Sequence, residues 1–237
     1  MDTEQIPNKQ IVELLATKSN KKSQVFDKML EIFNDLKELL GEISSDLDEA
    51  LDQKRELDPK LSKRVKLVYR DRGKFEAELR FADDVLIFSM LPDIYRFEKS
   101  HPICKNPNYE TNNGSSYCGI ITIYNFLYES VKFDRDDDLG YLVARIFINA
   151  DGNFFVEGKN QIHNDVNSFG VKKIDRETLR QIVENAMLYA ISMDLLVTPF
   201  KDVKTITLSQ MNDKIEHYKM TTGKRLGYDY DIDDILK

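Results

Sequence analysis

The sequence predicts an α+β fold, an antiparallel sheet of about six strands packed against C-terminal helices, with an N-terminal helical arm. Three observations carry this. Val25, Met29, Ile32, Leu36, Leu39, Ile43, Leu47 and Leu51 follow one another at spacings of three and four, the period of a helix lying along a partner. From Val65 onward apolar and polar residues alternate, as they do in strands with one wet face. After Phe169-Gly170 the helical period returns. Pro59 marks the first change. The expected organisation is therefore an arm over 1–60 and an α+β domain over 61–237, divided into a meander (61–175), covering helices (176–220) and an acidic tail (221–237).

Within the arm, Gln10 to Ala16 reads as a short helix and Lys22 to about Glu56 as a long one, which Gly41 weakens by about 1 kcal/mol relative to alanine. The apolar row suits either a helix covering the sheet or a self-association surface. Next, Val65, Leu67 and Tyr69 precede Asp71-Arg72-Gly73, and Phe75, Ala77, Leu79 and Phe81 alternate with Glu76, Glu78 and Arg80, which is a hairpin. Val85 to Leu91 is apolar on both parities and reads as a more central strand ending at Pro92. Asp151-Gly152 separates two apolar runs, Tyr141–Ile148 and Asn153–Glu157, and marks a second hairpin because glycine accepts positive φ.

Pro92 to Ser116 holds Pro102, Pro107, Asn112-Asn113-Gly114 and Ser115-Ser116, a composition that predicts a long mobile loop. In the C-terminal part, Asp175 is placed to cap a helix whose broad apolar face holds Leu179, Ile182, Val183, Ala186, Ala190 and Ile191. A last helix is expected from Ser209 to about Met220, followed by a frayed tail with Asp229, Asp231, Asp233 and Asp234.

Composition excludes several classes. The net charge is −7 and hydrophobic residues make up 41% of the 237, so the whole molecule has no field that gathers nucleic acid. No early apolar run reads as a signal peptide and no later one as a membrane span. Two cysteines, Cys104 and Cys118, are too few for a disulfide framework and read as reduced thiols of a cytoplasmic protein. Residues 61–80 nevertheless carry seven basic and three acidic side chains. This basic strip, Lys63, Arg64, Lys66, Arg70, Arg72, Lys74 and Arg80, reads as the charged outer side of an exposed hairpin.

Candidate chemistry is sparse. Ser116 to Val131 reads either as a strand or as a helix with Ile120, Ile123, Tyr124, Leu127, Tyr128 and Val131 on one face. As a helix it would place Cys118 at an N-terminus that favours thiolate, with His163 as base and Asn164 or Asp165 orienting it. That layout resembles papain-like thiol hydrolases. His101 and Cys104 are three apart, but Cys118 and His163 are distant from each other and lack the close companions of a zinc site, and Asp134, Asp136 and Asp138 are followed by Leu139 where a calcium loop needs glycine. Neither a metal nor a cofactor is expected. Arg145, in a run apolar on both parities, is expected to be partly enclosed and to pair with Glu129, Glu157 or a carbonyl. Alternatively it holds an anionic ligand with Tyr124, Phe126, Tyr141 and Phe147. With no complete nucleophile, metal or phosphate motif, the function expected is a non-catalytic cytoplasmic binding or protein-interaction protein. It would act through its N-terminal helices, on a protein partner or a second copy, with no membrane or nucleic-acid role. The alternative is a cysteine hydrolase using Cys118, His163 and Asp165.

Overall fold

The computed structural model of the protein describes residues 5–58, 60–62, 65–98, 100–105, 117–133, 138–158, 169–170 and 172–193. They form an α+β structure. Helix α1 (Gln5–Leu14), one π-helical turn (Leu15–Ser19) and helix α2 (Asn20–Leu57) follow without a break. Strands β1 (Leu67–Asp71), β2 (Glu76–Phe81), β3 (Asp84–Met90), β4 (Tyr95–Arg96), β5 (Tyr117–Leu127), β6 (Tyr141–Asn149) and β7 (Phe154–Gly158) form one antiparallel sheet in the order β1-β2-β3-β5-β6-β7. The two-residue β4 pairs with the start of β5, extending the line of β3. A short helix α3 (Tyr128–Lys132) follows β5, and α4 (Arg176–Ser192) is the last described element.

Helix α2 lies on one face of the sheet. Its row Val25, Met29, Ile32, Phe33, Leu36, Leu39, Leu40 and Ile43 is buried in the same cluster as Leu79, Phe88, Ile121 and Val156 of the sheet and Val183 and Ala186 of α4. Leu47 of the row is exposed, whereas its last member, Leu51, is half-buried against the same cluster. Gly119 fixes how closely α2 approaches β5, because a Cβ there would fall inside van der Waals contact with Met29 Cγ and 2.8 Å from its Sδ. Gly41 does not interrupt the helix.

Polar side chains set the turns. Between β1 and β2, Asp71 Oδ1 accepts from Gly73 N at 2.9 Å and from Lys37 Nζ of α2 at 2.8 Å, so the helix holds the hairpin it covers. The β6–β7 turn is longer than a two-residue loop. Gly152, at φ 80°, donates its N–H to Asn149 O. The buried Asn149 side chain accepts from the N–H groups of Asp151 and Asn153.

Helix α4 runs alongside α2 in the same direction, since Arg176 pairs with Glu42 at 2.6 Å and Arg180 with Asp46 at 3.4 Å. Such exposed pairs contribute little stability and fix orientation instead. Asp175 caps α4 by accepting from Thr178 N at 2.8 Å, and hydrogen bonding from the Thr178 hydroxyl, then from its N–H, holds the carboxyl below the ordinary value. A depressed folded value contributes stability above the unfolded pKa that is lost as pH falls. Replacing Asp175 by Ala is expected to cost about 0.5–2 kcal/mol. Asp175→Asn keeps the cap and removes the titration, so thermal melts below about pH 4 should show a shallower acid loss than the native protein.

The segment after Pro92 is more ordered than its composition suggests. Tyr95 and Arg96 pair with Cys118 and Tyr117, and Pro102–Lys105 forms a 3-10 turn. Ile103 is fully buried. Ile94, Phe97 and Ile103 supply apolar anchors that outweigh the prolines. Residues 106–116 of this stretch lie outside the described residues.

Candidate functional site

The face of the sheet turned away from α2 carries Arg145 and Tyr124, two of the three residues singled out for ligand binding. Cross-strand register places Thr122 opposite Arg145 and Arg145 opposite Glu157. Arg145 is not enclosed: its side chain is 45% exposed and donates from Nε to Glu157 Oε2 at 3.0 Å. An outward position on β6 explains this. The flanking residues that made the run look apolar on both sides point into two separate clusters. The guanidinium is therefore held by Glu157, with Phe147 below it at 5.5 Å.

Tyr124 lies on that same outer face, two residues from Thr122 along β5. Tyr141 does not. It is opposite Asn125, and the register shifts between Ile123 and Tyr124, whose partners on β6 are Ala144 and Leu142. The extra residue, Val143, is a bulge that reverses the parity of β6. Tyr141 and Arg145, four apart and on one side of any regular strand, consequently fall on opposite faces. A pocket built from Arg145, Tyr124 and Tyr141 together is corrected by this bulge.

Residues 117–127 are strand, and the chain turns helical only at Tyr128. Cys118 thus sits in β5 rather than at a helix N-terminus. It is fully buried in a small cluster with Ile103, Ile120, Phe147, Phe155 and Phe169, and burial pushes its thiol far up. Phe97 covers this cluster 5.4 Å from the Phe147 ring, and His101 lies 4.6 Å from Phe97. His101 Nδ1 accepts from Ile103 N at 3.2 Å, and the Cys104 thiol donates to Glu98 O. Both side chains are thereby engaged in holding the 3-10 turn. His163, Asn164 and Asp165 lie outside the described residues, as do the Ser209–Met220 segment and the tail. Native Cys118 is expected to resist iodoacetamide at neutral pH and to label only on denaturation, because the reactive form is the thiolate. Peptide mass analysis distinguishes it from Cys104.

Four described members of the basic strip have partners within the fold, while Lys63 and Arg64 lie outside the described residues. Glu78, almost completely buried, lies 3.4 Å from Arg70 and 3.5 Å from Arg72. The Arg80 guanidinium stacks on Tyr128, 3.2 Å from the ring centroid, and Lys74 sits over Phe26 and Phe75.

Among the described residues free apolar surface lies on α1 and, through Leu188 and Ile191, at the end of α4. Ile11, Val12, Leu14 and Leu15 are 52%, 64%, 58% and 58% exposed, and the substantial contacts of α1 among the described elements are with its own continuation. In a straight α-helix Ile11 and Leu15 would continue the row that starts at Val25. Every residue from Asn8 to Asn20 is exposed, so no face of this stretch is covered by the described residues. Polar Lys18 and Lys22, where the apolar row should continue, were the available sequence signal. Among the described residues no helix is long and apolar enough to cross a membrane. Compared with protein-family models, curated proteins and solved structures, the chain matches none.

Proposed function

We propose that this is a non-catalytic, cytoplasmic interaction protein whose contact element is the projecting start of its N-terminal helix. The carrying observation is the contiguous exposure of Ile11, Val12, Leu14 and Leu15 on a helix whose continuation is anchored in the core. Large apolar side chains grouped on a surface mark interaction sites, whereas single ones do not. A helix presenting anchors at i, i+3 and i+4 fits the apolar groove of a protein partner. Two free cysteines agree with a reducing compartment.

A photo-crosslinking residue placed at position 11 or 15 in the cell tests this. Discrete protein adducts are expected there and none at Glu49, an exposed position on α2, with the melting temperature unchanged. Equal adducts at position 49, or none at 11 and 15, would overturn the proposal.

A further inference from the structure

The interaction reading leaves open what covers α1, and the inference that follows rests on that reading. Charge narrows the choice. Residues 8–22 carry Lys9, Lys18, Lys21 and Lys22 against Glu13 alone, in a protein of net charge −7. Pairing α1 with a second α1 would set these lysines against one another, like charges that oppose association. The complement of this face therefore has exposed apolar side chains rimmed by carboxylates.

The other end of the same helix has that character. Residues 46–58 carry Asp46, Asp48, Glu49, Asp52, Glu56 and Asp58 against Lys54 and Arg55, and Arg55 is already held by Asp52 and the Val65 carbonyl. Leu57, in the last turn of α2, is exposed. Helix α4 ends beside it, because the Arg176–Glu42 and Arg180–Asp46 pairs keep one offset, and at the same offset Ile191 comes level with Leu57. Leu188 and Ile191, both exposed, continue the stripe of α4 that holds Arg180 and Glu184. No basic residue lies in the last turn of α4, so the partial negative charge of that helix end adds to the carboxylates. Within one molecule the two faces cannot meet. The unbroken helix from Leu15 to Leu57 separates them by about 63 Å at 1.5 Å per residue. Side-by-side exchange between two antiparallel copies would press the exposed Asp27, Asp35 and Glu38 of each α2 against those of the other, which like charge opposes. That leaves the end of one copy for the start of the next.

We infer that the Ile11–Leu15 face of α1 in one copy docks on the surface formed by Leu57, Leu188 and Ile191 of the next, with Lys9 and Lys18 toward Glu56 and Glu184, a head-to-tail contact that can repeat along a chain of copies. Variants of the full chain that disable one face each test it. Ile11→Ser with Leu15→Ser, or Leu188→Ser with Ile191→Ser, all at exposed positions that leave the melting temperature nearly unchanged, should each weaken concentration-dependent association at least tenfold in sedimentation experiments. Mixed in equal amounts, the two variants should form a pair that grows no further, since each retains the face the other lacks. Lys9→Glu with Lys18→Glu should also weaken association, and adding Glu56→Lys and Glu184→Lys to that chain should restore it. A native chain that stays monomeric at high concentration, a Leu188 and Ile191 variant that still associates, or a charge reversal without rescue overturns the inference. Crosslinks at positions 11 and 15 carried only by other proteins would retain α1 as the contact element and reject a second copy as its occupant.

Discussion

Gly119→Ala is expected to destabilise the protein by about 1–3 kcal/mol, the usual cost of inserting a carbon into a filled core. The new Cβ would meet Met29 Cγ and Sδ, and Met29 is fully buried under α2. The Met29 side chain must then shift within a filled core. Met29→Ala alone should cost about 2–5 kcal/mol by leaving a cavity. Adding Gly119→Ala to that background should cost much less than in the native protein, because the added methyl enters the vacated space. A coupling of about 1 kcal/mol or more from denaturant titrations of the four proteins is the expected signature. Additivity would mean that α2 and β5 do not touch at this point.

Phe33→Ala should have a still larger effect, about 3–5 kcal/mol. Phe33 is among the largest fully buried side chains and belongs to the cluster that joins α2 to the sheet and α4. In a chain of this size each kcal/mol shifts the melting temperature by roughly 2–4 °C. Ile11→Ala, on the same continuous helix, should change stability by less than about 0.5 kcal/mol, as surface substitutions do. Calorimetry on the two variants thus separates the anchored part of the helix from the projecting part.

The α+β class, the antiparallel sheet, the long helix and the Asp175 cap were legible because period and cap chemistry are local properties. Val25 to Ile43 declares its buried face through spacing alone. The details that arrange the site are not local. Val143 reads as one more apolar residue of a strand, yet as a bulge it sends Tyr141 and Arg145 to opposite faces. The burial of Arg145 was misjudged for a related reason. Both faces of β6 are apolar nearby because the outer face has its own small cluster under Phe97 and Ile103, and that cluster stops short of Arg145. The strand-or-helix ambiguity of Ile120 to Val131 came from β-branched residues with helical spacing. Pairing on both sides with β3 and β6 decides it for strand as far as Leu127. The exposure of Ile11 to Leu15 was signalled only by Lys18 and Lys22, which interrupt the apolar row before Val25.

Hydrogen exchange along residues 8–57 of the full chain, measured at low and high protein concentration, tests most directly whether this one helix serves two purposes. Amides of 25–44 should exchange slowly at both concentrations, because their opening requires the core to open. Amides of 8–18 should exchange rapidly in dilute solution, since every residue of that stretch is exposed. Protection of 8–18 equal to that of 25–44 in dilute solution would contradict the projecting arm, and rapid exchange throughout 25–44 would contradict the anchored helix.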